Sequence, residues 1–218
     1  MELKNPIKVN APFETAFARQ FSDLSLIHQE DKNVVILQRK ISHDFDIEIK
    51  QIMEASLYFR SSGDISSILE ALKKAFSAKH ISGSALFKDI RQLLNQFARV
   101  SEASSFRLGF FVVDSNMCRR FHTDINDLRL LCTYKGQGTF WLPEEAANRK
   151  EHHNGGDNEN IVKEPTLIQQ TQVGDVMILK GALYPDAKAA IHRSPSIEES
   201  NEKRLLLRID TNEFDDFN

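Results

Sequence analysis

A histidine and an aspartate two residues apart are the strongest candidates in this sequence for binding a metal. They are His122 and Asp124, in Phe121-His122-Thr123-Asp124. On an extended strand both side chains would project from the same face, because strand side chains alternate with a period of two. Two histidines and one carboxylate form the facial ligand set of mononuclear non-haem Fe(II) oxygenases. His192, 68 residues after Asp124, is the candidate third ligand, so the sequence predicts a divalent metal site.

Strands would have to position these three residues, and the sequence after residue 103 is strand-like. Short apolar segments alternate with glycine-containing turns there, and they cover 106–113, 129–134, 139–142, 176–179, 189–193 and 204–209. Gly136 and Gly138 suit a hairpin connection between the second and third of these segments. Val173-Gly174-Asp175 forms a turn that opens the fourth. Short strands punctuated by glycine turns predict a double-sheet jelly roll.

Residues 1–103 have a different pattern, which is mainly helical. Apolar residues at helical spacing predict helices around Phe13, Phe17 and Phe21, over 42–58, after Asp64 and after Ser84. The β-branched run at 33–37 predicts a single strand. The predicted fold class is therefore α+β: residues 1–103 form a mainly helical part that packs on one sheet of a jelly-roll metal-binding core formed by residues 104–218, within one integrated domain.

The order of these motifs resembles the double-stranded β-helix, a cupin-like fold, of 2-oxoglutarate/Fe(II)-dependent dioxygenases. The resemblance is carried by His122-Thr123-Asp124, the Gly-Asp turn into 176–179, His192 and Arg204. It implies that Fe(II) is bound by the two histidines and the aspartate, that 2-oxoglutarate is the cosubstrate, and that an unknown substrate is hydroxylated. It also implies that a basic residue on the last core strand pairs with the distal carboxylate of 2-oxoglutarate.

Four residues are candidates for binding that cosubstrate. Arg204 is the best match, 12 residues after His192, and Arg208 would share its strand face. Tyr134 could donate a hydroxyl to the same carboxylate, and Arg193 is adjacent to the distal histidine. A guanidinium suits the task because it can bind a carboxylate through two parallel hydrogen bonds. The sequence leaves open whether the arginines or the leucines of 204–209 point inward, and if the leucines do, both arginines face away.

A second resemblance covers most of the chain. The segments 118–122, 130–134, 141–143 and 192–195 are similar to those of a bacterial family described only as a domain of unknown function. This resemblance implies no activity.

Composition excludes several other classes of function. The 218 residues include 41% hydrophobic and 27% charged residues, with a formal net charge of −3, as in an ordinary globular protein. Because the charges are interspersed, no basic stripe predicts nucleic-acid binding and no polybasic tract or long apolar run predicts membrane association. The first residues lack the apolar segment of a secretory signal. We therefore expect a cytoplasmic protein whose two cysteines are reduced.

Several alternatives stay open at this point. Cys118 could add a soft ligand and favour zinc, although a reduced thiol beside a strand explains it more simply. The same triad in a cupin-like protein could bind zinc or another divalent ion, for a hydrolase or for metal homeostasis. A non-enzymatic β-sandwich with structural histidines is a third interpretation.

The polar segment 148–165 is too long for a simple connector and is predicted to be a flexible loop or lid. The substrate could be a small molecule or a protein side chain, and nothing indicates the oligomeric state.

Overall fold

The computed structural model describes residues 13–197 and 202–211, which form ten strands and five α-helices. The strands are β1 (Thr15–Ala18), β2 (Val34–Leu37), β3 (Tyr58–Gly63), β4 (Phe106–Val113), β5 (Leu128–Lys135), β6 (Phe140–Leu142), β7 (Gln169–Gln170), β8 (Val176–Lys180), β9 (Ile191–Arg193) and β10 (Arg204–Thr211). The helices are α1 (Asp46–Glu54), α2 (Ile65–Ala78), α3 (Ser84–Ser101), α4 (Arg149–His153) and α5 (Asn158–Ile161). Short 3-10 helices cover Phe21–His28, His43–Phe45, Glu144–Ala146 and Pro165–Leu167. No helix among these described residues is long and apolar enough to cross a membrane.

The strands form two sheets, so the protein has a mixed α/β architecture with one large sheet. The large sheet has the order β1-β2-β8-β5-β10-β4-β3, and the small sheet has the order β7-β6-β9. In the large sheet β1 and β2 are parallel, whereas the other neighbouring strands are antiparallel. The first 103 residues contribute three strands, β1 and β2 at one edge and β3 at the other. The prediction of a mainly helical part with one strand therefore missed two strands.

The large sheet has two different faces. On its helix-covered face, Leu205, Leu207 and Ile209 of β10 pack in one apolar cluster with residues of α2 and α3. Its other face, which we call the inner face, carries Leu206 and packs against Trp141 of the small sheet. Because side chains alternate along a strand, Arg204 and Arg208 share the inner face with Leu206. The question that the sequence left open is thereby answered, since the arginines point inward.

The helices α2 and α3 form as their apolar spacing predicts. The Asp64 carboxylate accepts a hydrogen bond from the Ser67 amide (2.8 Å) and so caps α2. Leu72 of α2 and Phe97 of α3 are buried against the sheet. This burial of one helix face is the main source of helix stability in a folded domain.

Two predicted helices differ from the structure. Around Phe17 the chain forms β1 and then a 3-10 helix, because pairing with β2 outweighs the local helical spacing. The helix predicted over 42–58 is shorter, since α1 ends at Glu54 and Tyr58 already belongs to β3. Both errors arise where long-range strand pairing decides the local structure.

The predicted hairpin between β5 and β6 is also wrong, because these strands lie in different sheets. The segment after β5 instead crosses from one sheet to the other. Gly136 has a φ of +81°, and a Cβ there would lie 2.7 Å from the Lys203 carbonyl oxygen and 2.9 Å from the Cγ of Arg204. The glycine is needed because the start of β10 approaches it so closely.

The segment 148–165 carries regular structure in place of the predicted flexible loop. It contains α4 and α5 and is hydrogen-bonded to the stretch before His122. The Arg120 guanidinium donates to the Gly156 carbonyl (2.8 Å), and the Asn158 side chain accepts from the Phe121 amide (2.8 Å). The segment therefore packs against and stabilises the strand-like stretch that carries His122.

Candidate metal centre

The structure brings the three predicted ligands together. His122 and His192 form an antiparallel bridge in which each backbone N–H donates to the other residue's carbonyl at 2.9 Å. Their ring centroids are 4.5 Å apart. Asp124 Oδ2 lies 3.2 Å from His192 Nε2, and Asp124 Oδ1 lies 3.7 Å from His122 Nε2. One ligand atom from each residue lies within 4.8 Å of the others, the one such cluster within the described residues.

Backbone carbonyls orient both imidazole rings. His122 Nδ1 is 2.9 Å from the Arg120 carbonyl oxygen, and His192 Nδ1 is 3.3 Å from the Ala190 carbonyl oxygen. In a neutral ring this hydrogen bond places the proton on Nδ1 and the lone pair on Nε2. Burial lowers the pKa of His122, and the neighbouring His192 adds to that effect. A neutral imidazole with a free Nε2 is the form that binds a metal.

Asp124 is held as a carboxylate. Burial alone would raise its pKa, but His192, Arg129 and His122 outweigh this effect and hold the pKa well below its usual range. Arg129 forms an ion pair with Oδ1, whereas the buried Oδ2 has no hydrogen-bond partner among the described residues. When both rings are neutral with the proton on Nδ1, the form that binds a metal, their Nε2 atoms and Asp124 Oδ2 are three acceptor atoms that face one another. A divalent cation would stabilise this arrangement, so the donor set fits a metal of the facial-triad type.

Sequence reasoning missed two charged residues that support the triad, Arg129 and Asp210. Arg129 on β5 also pairs with Asp210 on β10 (2.5 Å between Nε and Oδ1). Asn126 donates to the same Asp210 oxygen (3.0 Å). The Asp210 and Asp124 carboxylates together raise the pKa of Arg129 despite its burial. In the sequence, each of the two missed residues is a charged residue within a mainly apolar strand.

Arg204 is buried on the inner face, with only 1% of its surface exposed. Its Nη2 donates to the Thr133 hydroxyl (3.3 Å), while Nε and Nη1 have no hydrogen-bond partner in residues 13–197 and 202–211. Burial lowers the pKa of Arg204 from 12.5 to about 10. A buried guanidinium that meets only a neutral hydroxyl is strongly disfavoured, and a ligand carboxylate would satisfy it.

Arg208 differs from Arg204 in its surroundings. Its side chain is 27% exposed, and its Nε lies 3.2 Å from Asp210 Oδ2. This contact is an ion pair without hydrogen-bond geometry. Arg208 thus has a carboxylate nearby, which makes Arg204 the better candidate for the cosubstrate.

The structure does not bring the other candidates to the inner face. Tyr134 lies on the helix-covered face, where its hydroxyl donates to Asp89 (2.6 Å). Arg193 alternates with His192 on β9 and lies over the rings of Phe121 and Phe140, 5.0 and 4.7 Å from their centroids. These positions follow from strand alternation, which puts neighbouring residues on opposite faces. Cys118 is exposed and is not part of the ligand cluster.

Comparison with solved structures shows a shared fold. The dioxygenase for auxin oxidation 1 from Arabidopsis thaliana, in a binary complex with 2-oxoglutarate, is similar at a TM-score of 0.50 and 10% identity, over 91% of this chain and 92% of that one. The Fe(II)/α-ketoglutarate-dependent dioxygenase TqaL is similar at 0.47 and 12% identity, over 87% and 85%. A prolyl-4-hydroxylase from Pseudomonas putida is similar at 0.43 and 10% identity, over 87% and 95%. The likeness to the first of these places the protein among dioxygenase-like jelly-roll folds.

Comparison by sequence shows the family. No curated protein matches the chain. The family described as "Protein of unknown function (DUF1826)" matches residues 18–210, which is most of the sequence. The chain therefore belongs to the DUF1826 family.

Proposed function

We propose that this protein is an Fe(II)- and 2-oxoglutarate-dependent dioxygenase that hydroxylates an organic substrate. The observation that carries this proposal is the presence of a facial ligand triad together with a buried inner-face arginine, Arg204, that lacks a carboxylate partner among the described residues. Dioxygenases with the same fold support it.

His122, Asp124 and His192 would hold the metal. The Nε2 atoms of the two rings and Oδ2 of Asp124 are the ligand atoms, because Oδ1 is paired with Arg129. Arg129 is therefore a positioning residue, since it fixes the carboxylate so that one oxygen remains for the metal. Such supporting contacts are typical of protein metal sites and affect metal affinity.

Arg204 would bind the distal carboxylate of 2-oxoglutarate, with the Thr133 hydroxyl beside it. The inner face around them is apolar and includes Leu131 and Leu206, which exclude water from the cosubstrate chain. When bound, Fe(II) and 2-oxoglutarate would supply the oxidising chemistry, in which one atom of O₂ becomes a hydroxyl on the substrate carbon and the other enters succinate as CO₂ leaves. The protein's own part is to orient these groups and keep water out.

Metal analysis with matched variants tests the proposal. After anaerobic loading with Fe(II), we expect one equivalent of iron in the wild-type protein and little in His122→Ala or His192→Ala. His43→Ala is the control, because this histidine is exposed and lies far along the chain from the triad. Unchanged iron content in both triad variants would contradict the metal assignment.

The reaction itself needs a second readout. We expect 2-oxoglutarate-dependent formation of succinate and CO₂ by the iron-loaded protein, and loss of both products in His192→Ala. Tight zinc binding without succinate formation would instead favour the cupin-like metal-binding alternative. No metal in any preparation would favour a β-sandwich with structural histidines.

A further inference from the structure

A row of arginines crosses the inner face beside the triad. In the strand register, Arg60 of β3 and Arg208 of β10 both pair with Gly109 of β4. Residues paired across neighbouring strands project from the same face, so both guanidinium groups lie on the inner side. Gly109 has no side chain to separate them, and a Cβ there would lie 2.5 Å from the ring of Phe111. The Phe111 ring occupies the space above Gly109, so the two cationic side chains flank this ring.

The next row adds positive charge. It contains Ser62, Arg107, Asp210 and Arg129 on four successive strands of the sheet. Within these two rows Asp210 is the one acidic residue, and it is already contacted by Arg129 and Asn126. Burial lowers the pKa of Arg208, and the Arg129 and Arg60 charges contribute to this. Arg129 and Arg208 both pair with Asp210, so these two guanidinium groups share one carboxylate within the rows.

This cationic surface is open to a ligand. Arg60 and Tyr58 on the edge strand β3 are exposed, Tyr58 to 62%. The Tyr58 ring stacks on Phe111 at 5.5 Å, and the Arg60 guanidinium lies 5.2 Å from the Tyr58 centroid. An exposed aromatic ring beside two guanidinium groups suits a small organic molecule that carries an anionic group.

The arginine row is also connected to the proposed metal centre. Arg129 contacts Asp124 and Asp210, and Asp210 in turn pairs with Arg208. The Asp124 carboxylate is near enough to raise the pKa of Arg208, although burial keeps that pKa lowered overall. A group bound by Arg208 would thus lie beside the triad, on the solvent-exposed side of the inner face.

We propose that the hydroxylated substrate is a small organic oxyanion, a carboxylate, sulfonate or phosphonate, whose charged group is bound by Arg60 and Arg208. Guanidinium groups bind such oxygens through paired, charge-assisted hydrogen bonds. This inference rests on the dioxygenase function proposed above. The proposal gives the two inner-face arginines of β10 different roles: Arg204 binds the cosubstrate, and Arg208 binds the substrate.

Calorimetric binding to the Fe(II)-loaded protein with 2-oxoglutarate, under anaerobic conditions, tests the anion site. The probes are propionate, ethanesulfonate and methylphosphonate, with propionamide as the uncharged match. We expect at least one anion to bind about 10-fold more tightly than propionamide, as the loss of a charge-assisted contact implies. Equal binding of the amide and all three anions would overturn the proposal.

Variants locate the site. We expect Arg208→Gln and Arg60→Gln to weaken the bound anion about 10-fold while the dissociation constant of 2-oxoglutarate changes less than about 2-fold. Arg91→Gln, which removes an exposed arginine from α3, is the matched control and should change neither. Anion binding that is unaffected by both inner-face variants would overturn the assignment.

The two proposals fail in different ways. If 2-oxoglutarate does not bind to the wild-type protein, the dioxygenase function fails, whereas anion binding that still depends on Arg60 and Arg208 would support the anion site. If 2-oxoglutarate binds and supports uncoupled succinate formation but no anion depends on these arginines, only the substrate inference is overturned.

Discussion

Two buried arginines lie on opposite faces of the large sheet, and their surroundings differ. Arg39, 2% exposed on the helix-covered side, donates to both oxygens of Asp89 (2.5 and 2.8 Å) and to the Gly174 carbonyl (2.7 Å). Arg204, 1% exposed on the inner face, meets only the Thr133 hydroxyl among the described residues.

The pKa values of the two arginines follow this difference. Burial opposes the charge of both guanidinium groups. The Cys132, Asp89 and Tyr134 groups nevertheless raise the pKa of Arg39, while the pKa of Arg204 falls to about 10. A buried charge that the chain satisfies itself is part of the fold. A buried charge without a counter-ion among the residues that the structure describes indicates a ligand.

The largest effect is expected from breaking the satisfied pair. Asp89→Ala leaves Arg39 buried without its carboxylate and Tyr134 without its acceptor, so we expect the free energy of unfolding to fall by about 3–5 kcal/mol. Urea denaturation measures this change. Glu70→Ala, which removes an exposed acid from α2, is the control and should cost no more than about 0.5 kcal/mol. A loss in Asp89→Ala as small as that of the control would contradict the structural role of this pair.

Arg204→Met should have the opposite effect on stability. Replacing a buried, poorly satisfied cation by an apolar side chain of similar length is expected to leave the free energy of unfolding unchanged or to raise it by about 1–3 kcal/mol. The same change should weaken 2-oxoglutarate binding by at least about 30-fold, because a charge-assisted pair is lost. Thermal unfolding without ligand and anaerobic 2-oxoglutarate titration are the two measurements. Strong destabilisation together with unchanged affinity would make Arg204 a structural residue like Arg39.

Tyr134→Phe distinguishes the two faces at a single strand. Its hydroxyl donates to Asp89 on the helix-covered face, so we expect a loss of about 1.5 kcal/mol in the free energy of unfolding. The affinity for 2-oxoglutarate should stay within about 2-fold of the wild-type value. A selective loss of cosubstrate affinity with unchanged stability would instead restore Tyr134 to the cosubstrate site.

Thr133→Val tests the neighbouring residue on the inner face. The hydroxyl accepts from Arg204 and would lie beside the cosubstrate carboxylate. We expect about 5-fold weaker 2-oxoglutarate binding, equivalent to one hydrogen bond of about 1 kcal/mol, with little change in the denaturation midpoint. An affinity loss in Tyr134→Phe that exceeds the loss in Thr133→Val would reverse the assignment of the two faces.

The sequence predicted the His122 and Asp124 pair because the signal of this pair is local. The two-residue spacing of His122 and Asp124 places them on one face of a strand, and His192 lies in a second strand-like segment. The helices α2 and α3 were likewise predictable, since their apolar stripes have helical spacing.

The orientation of β5 and β10 could not be predicted in the same way. Both strands are buried on both faces, so apolar residues do not alternate with polar ones along them. Arg204 was found by its distance from His192, but the faces of Arg204 and Tyr134 depend on which side α2 and α3 cover. Strand β1 was missed because its pairing with β2 is a tertiary contact that the local spacing around Phe17 does not reveal.

Anaerobic titration of 2-oxoglutarate into the Fe(II)-loaded protein tests the central claim most directly, because chelation of the metal by the cosubstrate produces a weak visible charge-transfer band. We expect a saturable band in the wild-type protein. We also expect no band in His192→Ala, and a shift of saturation to at least about 30-fold higher 2-oxoglutarate in Arg204→Met. A wild-type protein that holds iron but shows no band, or an Arg204→Met variant that saturates at the wild-type concentration, would contradict the claim.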